Sequence, residues 1–149
     1  MDEIVLRSMM KWPNVPSVYG WLRLDRRGQW LIRMPSASPA PGAVPRFERI
    51  VNPAMIEFIG RNYTRDAKGR HFFQNGPQRV FVALEYTPWI YRLGSSGQQF
   101  VAHTGAAAGA PREAYLDDQG GLIVVCAPGP GAVLDRDLAA LTERFSDLA

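Results

Sequence analysis

The chain has 149 residues, of which 46% are hydrophobic and 21% are charged, and these values exclude a wholly disordered protein. Its single cysteine, Cys126, cannot form an internal disulfide, and it cannot by itself make a structural zinc site. The cysteine content therefore gives no sign of an oxidising compartment. The start of the sequence lacks a signal-peptide pattern, and no run of apolar residues is long enough to span a bilayer. We therefore expect a cytoplasmic protein with no membrane partner.

The formal net charge of +3 is unevenly distributed along the chain. Residues 1–100 contain 14 of the 17 basic residues, 7 of the 14 acidic residues and 14 of the 16 aromatic residues. Basic and aromatic residues together are typical of nucleic-acid binding. The bases, however, are scattered singly or in pairs such as Arg26-Arg27, which favours a solvated surface. Nucleic-acid contact through residues 1–100 is therefore the weaker alternative.

Two helices are predicted in the first half of the chain. Apolar residues lie near one face of residues 2–11, as in a short amphipathic helix. Asn52-Pro53 is a helix start signal, with Asn as N-cap and Pro at the first helical position, and helical spacing continues to about Asn62. Between these helices, four prolines in residues 35–45 predict a surface linker.

Three segments share the pattern Asp-x-x-Gly between apolar residues: 25–28, 66–69 and 117–120. Asp favours the first position of a type I turn, and Gly tolerates the left-handed conformation that closes a short hairpin. Each segment therefore predicts a β-hairpin, and the three together suggest duplicated β units.

The stretch after the second hairpin predicts further strands. Asn75-Gly76 is a turn pair, and residues 80–85 alternate as a strand does. Strands starting at Trp89 and ending at His103 complete a meander around the turn at residues 94–97. We expect loops at residues 104–111 and 127–131.

The last predicted element is a C-terminal helix, capped by Asp135 or Asp137, with an apolar stripe at Leu138, Leu141, Phe145 and Leu148. The elements together predict about eight strands in an α+β fold: a mainly antiparallel sheet built from repeated Asp-x-x-Gly hairpins, with two or three helices packed on it. Residues 1–149 are expected to form a single compact domain, or two pseudo-repeated halves of about 1–62 and 63–149.

The order of elements carries a resemblance. An Asp-Gly hairpin and an amphipathic helix are followed by Arg-Asp-x-x-Gly-Arg-His-Phe at 65–72, Gly-Pro-x-Arg-Val-Phe-Val at 76–82 and Glu-Tyr-Thr-Pro at 85–88. This order resembles an uncharacterised proteobacterial domain-of-unknown-function family over roughly residues 17–125, most specifically at 64–89. The resemblance implies an α+β fold of repeated motifs with a cleft, and a place in signalling. It implies no catalytic residue and no cofactor.

Familiar catalytic and metal-binding signatures are missing from the sequence. His71, His103 and Cys126 do not have the spacing of zinc ligands, and Cys126 follows an apolar strand, which favours a buried thiol. Residues 94–97 do not form a nucleophile elbow, and the glycines at 105–109 and 129–131 lack the context of a phosphate loop. We therefore expect no metal, no cofactor and no assigned catalytic residue.

One cluster could form a ligand site. Gln74, Asn75, Gln78 and Arg79 surround a rigid Gly-Pro turn, beside His71 and ahead of Trp89. Amide and guanidinium groups held by a rigid turn could bind a small anion such as a carboxylate or phosphate. The alternative is that these residues only form the turn and cover the sheet.

The leading functional hypothesis is a small-ligand-binding or protein-interaction module in regulation. Its candidate partners are a small anionic molecule, a protein that contacts the aromatic segment at residues 11–21, or a second copy of the chain. The alternative is an enzyme of unrecognised type, in which His71 or His103 acts as general acid or base and Arg79 holds an anion.

Overall fold

The computed structural model describes residues 1–35, 41–95 and 97–138, and within them the chain forms two compact units. Unit 1 contains Met1–Asp25 and Gln29–Glu85. Unit 2 contains Arg26–Gly28 and the chain from Tyr86 onward. The expected division at about residue 62 stays a prediction.

Unit 1 is a six-stranded mixed sheet with two helices. Its elements in chain order are α1 (Glu3–Lys11), β1 (Val18–Leu24), β2 (Trp30–Arg33), β3 (Phe47–Arg49), α2 (Pro53–Arg61), β4 (Tyr63–Arg65), β5 (His71–Asn75) and β6 (Gln78–Leu84). The strand order is β3-β2-β1-β6-β5-β4. The central pair β1 and β6 is parallel, and the other neighbours are antiparallel.

One face of this sheet packs against α2. Ile59 of α2 is buried, and Phe58 meets the ring of Phe73 edge to face at a centroid distance of 5.5 Å. On the same face the rings of Trp30 and Tyr63 lie 5.1 Å apart. Aromatic side chains of this size contribute most of the apolar area that a small core removes from water.

Helix α1 is joined to the end of α2 by polar contacts. The backbone N–H of Asp2 donates to Oδ1 of Asn62 at 2.8 Å, and the Asp2 carboxylate accepts from Nε of Arg61 at 3.1 Å. Asn62 is fully buried, and Val5 is the buried residue of α1. The expected helices at residues 2–11 and 52–62 are therefore both present.

Unit 2 is a second six-stranded mixed sheet. Its strands are β7 (Trp89–Leu93), β8 (Phe100–Ala102), β9 (Ala107–Gly109), β10 (Glu113–Leu116), β11 (Leu122–Cys126) and β12 (Gly129–Val133), in the order β10-β11-β12-β7-β8-β9. The central pair β7 and β12 is parallel. Residues 135–138 are helical, and the expected stripe at Leu141, Phe145 and Leu148 lies outside the described residues.

The core of unit 2 surrounds Tyr91, which is fully buried together with Val124 and Cys126. The backbone of β12 passes directly over the Tyr91 ring. A Cβ placed on Gly131 would lie 2.4 Å from two atoms of that ring, so only glycine fits at this position.

The three Asp-x-x-Gly segments each join two antiparallel strands. In each, the Asp carboxylate accepts a hydrogen bond from the backbone N–H four residues ahead, and the Asp N–H donates to the carbonyl of that residue. The pairs are Asp25 with Gln29, Asp66 with Arg70 and Asp117 with Gly121. Whether the three hairpins are copies of one duplicated unit stays a prediction.

Two details of the expected fold need correction. The fold is α+β, but its strands form two mixed sheets, and the described residues contain twelve strands rather than about eight. Residues 107–109 and 129–131, expected as parts of loops, belong to strands β9 and β12. Pro130 is compatible with β12 because the parallel pairing with β7 begins only at Gly131.

None of the helices within the described residues is both long and apolar enough to cross a membrane.

Candidate functional site

An apolar groove of about 790 Å³ lies in unit 1, between α2 and one face of the sheet. We call it the apolar groove. It is lined by residues of β1, β2, β5, β6, α2 and the segment before α2: Val18, Trp21, Leu22, Ile32, Ile50, Val51, Asn52, Ala54, Met55, Phe58, Ile59, Phe73, Asn75 and Val80.

The N-terminus of α2 is fixed at one end of the apolar groove. Oδ1 of Asn52 accepts a hydrogen bond from the backbone N–H of Met55 at 3.1 Å, and Pro53 occupies the first helical position. This cap satisfies one of the backbone donors that a helix start leaves open. Met55 is thereby held at the groove, where its side chain remains 46% exposed.

The sheet wall of the apolar groove follows from the register of the first hairpin. Leu22 is the Cα partner of Ile32, and Leu24 is the partner of Trp30, so these side chains share one face. Phe73 and Val80 are partners on the neighbouring strands and line the same groove. Sequence reasoning did not identify this site, because its signal is the register between strands rather than a run of residues.

The apolar groove contains few polar groups. Among its lining residues only Asn52, Asn75 and the indole N–H of Trp21 offer polar side-chain groups, and none is charged. Asn75 is exposed at the end of β5, and Asn52 uses its carbonyl oxygen for the α2 cap. The site therefore offers a large apolar surface with amide groups at two positions.

The expected cluster around the Gly-Pro turn is divided by the alternation of the strands. Gln74 is the partner of Arg79, and Asn75 is the partner of Gln78. Because successive side chains on a strand point to opposite faces, His71 and Asn75 share the face of Phe73, while Gln74 and Arg79 lie on the other face. The structure therefore joins the predicted residues in pairs and does not bring them together as one site.

Gln74 is 1% exposed, and its Nε2 donates to the carbonyl of Gly76 at 3.0 Å. Its Oε1 is buried and has no hydrogen-bond partner among the described residues. Gln78 donates through Nε2 to the carbonyl of Pro16 at 3.1 Å. These bonds hold the turn, as the structural alternative expects.

Arg79 and Trp89 have different surroundings. The guanidinium carbon of Arg79 lies 4.4 Å from the centroid of the Phe72 ring. Trp89 belongs to unit 2, where its ring lies 5.7 Å from that of His103.

The two histidines are at least half-buried. Burial and the positive charge of Arg65 lower the pKa of His71 below its ordinary value. Burial lowers the pKa of His103 to about 4, and Nδ1 of His103 accepts a hydrogen bond from the Ile90 N–H at 3.2 Å. His71 lies on the sheet face opposite Arg79, so those two side chains do not form an acid–base and anion-holding pair.

A smaller cavity of about 240 Å³ lies in unit 2 beside Tyr86 and Asp117. The Tyr86 hydroxyl donates to Oδ2 of Asp117 at 2.5 Å, which raises the pKa of Tyr86 and lowers that of Asp117. Oδ1 of Asp117 accepts from the N–H groups of Gln119 and Gly121. This carboxylate is therefore occupied in stabilising the turn.

The described residues contain no group of three or more His, Cys, Asp or Glu side chains that could hold a metal ion. Cys126 is buried, as its position after an apolar strand predicts, and burial raises the pKa of its thiol.

Solved structures with a similar fold belong to proteins of the DUF1285 family. A protein from Silicibacter pomeroyi DSS-3 superposes with a TM-score of 0.57 and 18% identity, over 91% of this chain and 74% of its own. One from Shewanella baltica OS155 superposes with a TM-score of 0.55 and 13% identity, over 86% of this chain and 96% of its own. At these identities the likeness concerns the fold alone.

No curated protein matches the sequence. The model of one protein family covers residues 1–148, and it confirms the expected resemblance to an uncharacterised domain-of-unknown-function family. The chain belongs to the family described as "Protein of unknown function (DUF2946)".

Proposed function

We propose that this protein is a non-enzymatic binding module, and that the apolar groove of unit 1 binds an uncharged, predominantly apolar small molecule. The observation that carries the proposal is a cavity of about 790 Å³ without a charged lining residue. The proposal keeps the regulatory, cytoplasmic setting that the sequence led us to expect.

The size of the apolar groove suits a small ligand. Its volume lies within the range of about 300–1,000 Å³ that is typical of small-molecule sites. Several lining side chains remain exposed, among them Val51 at 67% and Met55 at 46%. Covering such side chains contributes about 25 cal/mol for each Å² of apolar surface removed from water.

The lining also selects the charge of the ligand. A carboxylate or ammonium group would lose its hydration against apolar side chains and find no ionic partner there. Asn75 offers an exposed amide, and the NH₂ group of Asn52 is not needed for the α2 cap. We therefore expect a neutral molecule with a carbonyl, hydroxyl or amide group near one end.

A binding role is favoured over catalysis by the residue types at the site. None of the described lining residues is a Ser, Cys, His, Asp, Glu or Lys that could act as nucleophile, general acid or general base. The small anion expected at Arg79 would lie on the opposite face of the sheet, outside the apolar groove.

The proposal can be tested with N-phenyl-1-naphthylamine, a neutral dye that fluoresces in apolar surroundings. We expect saturable binding to the wild type and a loss of at least tenfold in affinity for Ala54→Phe, which fills the apolar groove. Ala67→Phe is the matched control, because Ala67 is exposed in the β4–β5 turn. Equal affinity in both variants would contradict the assignment of the site.

Candidate ligands can then be screened by displacement of the dye and by thermal shift. A ligand at 100 times its dissociation constant adds about 2.7 kcal/mol to the free energy of unfolding. Asn75→Leu, which keeps the branched four-atom side chain and removes the amide, should weaken a ligand that hydrogen-bonds there. Displacement by charged but not by neutral compounds would refute the expected ligand chemistry.

A further inference from the structure

The face of the unit 1 sheet opposite the apolar groove collects arginines that are separated in the sequence. The register makes Arg23 a partner of Leu31 and Leu31 a partner of Arg49, so Arg23 and Arg49 share a face. Arg33 lies two residues beyond Leu31 on β2, so it is on the same face as Leu31. Ala83 on β6 is a partner of Arg23 and shares that face as well. Alternation along β6 places Arg79 on this face too. We call this surface the arginine face.

In the described part of the chain, four arginines of this surface are not paired with a carboxylate, whereas a fifth, Arg70, lies 4.6 Å from the centroid of the Phe81 ring and pairs with Asp66. Among the described residues, Arg23, Arg33, Arg49 and Arg79 have no ion-pair partner, whereas ion pairs engage Arg7, Arg46, Arg61 and Arg70. Glu48 is the one acidic residue within the strands of unit 1. It is the partner of Ile32 and lies on the groove side.

Aromatic rings hold these guanidinium groups in place. The Arg23 guanidinium carbon lies 4.1 Å from the centroid of Phe47, and that of Arg79 lies 4.4 Å from the centroid of Phe72. A guanidinium group against a ring keeps its N–H donors directed outward in its own plane, where they can bind phosphate oxygens.

The arginine face also has an exposed stacking platform. Tyr19 lies parallel to the buried ring of Phe81, with a centroid distance of 4.7 Å and an angle of 3° between the planes. Tyr19 remains 60% exposed although Phe81 stacks on one side of its ring. A nucleobase could stack there without rearrangement of the core.

We infer that the arginine face binds single-stranded nucleic acid. Arg49 on β3 and Arg79 on β6 are three strand spacings apart, or roughly 15 Å. Charges spread over this distance suit a chain of phosphates better than one small anion. An exposed aromatic ring such as Tyr19 can stack an unpaired base, while arginines hold the phosphates.

The test is fluorescence anisotropy with a labelled single-stranded oligonucleotide and with the corresponding duplex. Each neutralised phosphate contributes a slope of about −0.7 to the dependence of log K on log salt for single strands. Four contacts therefore predict about 50-fold weaker binding when salt is raised from about 50 to about 200 mM. Arg23→Gln or Arg79→Gln should each reduce the slope by about 0.7.

Matched variants separate a specific surface from general charge. Arg7→Gln makes the same change of charge on exposed α1 and should leave the slope unchanged. Tyr19→Ala should weaken binding by at least about fivefold, and Tyr19→Phe should restore it, because a stacked base needs only the ring. Ala54→Phe, in the apolar groove, should leave the affinity for the oligonucleotide unchanged. Failure of this inference can therefore be distinguished from failure of the ligand site proposed for the groove.

Three results would overturn the inference. The first is the absence of binding at low salt, which would leave the arginines a solvated surface. The second is an equal effect of Arg7→Gln and Arg79→Gln. The third is that inorganic polyphosphate binds as tightly as the oligonucleotide and that Tyr19→Ala has no effect on binding. These two results together would assign the surface to a polyanion without bases.

Discussion

The buried histidine of unit 2 should make the stability of that unit depend on pH. Burial lowers the pKa of His103 to about 4, whereas in the unfolded chain it is about 6.5. Above pH 6.5 the ring is neutral in both states and contributes no pH dependence. Below pH 6.5 the unfolded chain takes up a proton that the folded protein does not accept until about pH 4, so unfolding becomes more favourable.

The magnitude follows from the difference between the two pKa values. Each unit of pKa corresponds to about 1.4 kcal/mol, so the full effect is about 3 kcal/mol, reached near pH 4. The carboxyl group of Asp117 does not obscure this window, because its pKa is lowered and it titrates below about 3.8. Burial also lowers the pKa of His71, but this histidine lies in unit 1 and therefore affects the stability of that unit.

The assay is urea unfolding at several pH values, followed by NMR signals that resolve unit 2 from unit 1. Between pH 7.5 and 4.5 we expect unit 2 of the wild type to lose about 2–3 kcal/mol. His103→Gln should remove most of this loss, and His71→Gln should leave it unchanged. If unit 2 of His103→Gln lost stability as steeply as the wild type, the assigned burial of His103 would be wrong.

Three further predictions follow from individual contacts. Gly131→Ala should destabilise unit 2 by about 1–3 kcal/mol in calorimetry, because the added Cβ overlaps the Tyr91 ring; unchanged stability would contradict the close approach. Asp117→Asn should bring the pKa of Tyr86 down toward 10, because the acceptor of its hydrogen bond loses its charge. Ultraviolet titration of tyrosinate measures this pKa, and an unchanged titration would show that the hydrogen bond does not raise it. Asn52→Ala should cost unit 1 about 1 kcal/mol in urea unfolding by removing the α2 cap, and a loss below a few tenths of a kcal/mol would argue against that cap.

Local signals predicted the start of α2 and the tight turns. Asn52-Pro53 predicted α2, and Asp-x-x-Gly identified three turns between antiparallel strands, because cap and turn chemistry depends on only four or five neighbouring residues. The α+β class followed from the alternation of these turns with helical spacing.

Long-range pairing could not be predicted in the same way. The parallel pairs β1·β6 and β7·β12 join strands far apart in the chain, and no turn residue announces them. Strand β12 has the sequence Gly-Pro-Gly-Ala-Val, which reads as a loop by propensity. It is a strand because Gly131 lets the backbone pass close to Tyr91, a contact that exists only in the folded core.

The candidate cluster at Gln74–Arg79 shows why a site on a sheet is hard to find in one sequence. Neighbouring residues on a strand face opposite sides, so a compact cluster in the sequence is divided between two surfaces. Conversely, Arg23, Arg49 and Arg79 are distant in the sequence and share one face through the register. The same alternation gives one side of this sheet an uncharged apolar groove and the other a row of arginines.

Comparison of the two units explains why the apolar groove belongs to unit 1. With strands counted in chain order within each unit, both sheets have the same arrangement, in which the first and last strands form the central parallel pair. Between the third and fourth strands, unit 1 has α2, whereas unit 2 has only residues 110–112. The sheet alone therefore does not produce the groove. Its wall is α2, held by its Asn52 cap and by the packing of Phe58 on Phe73, and these are the contacts on which a ligand at this site would depend.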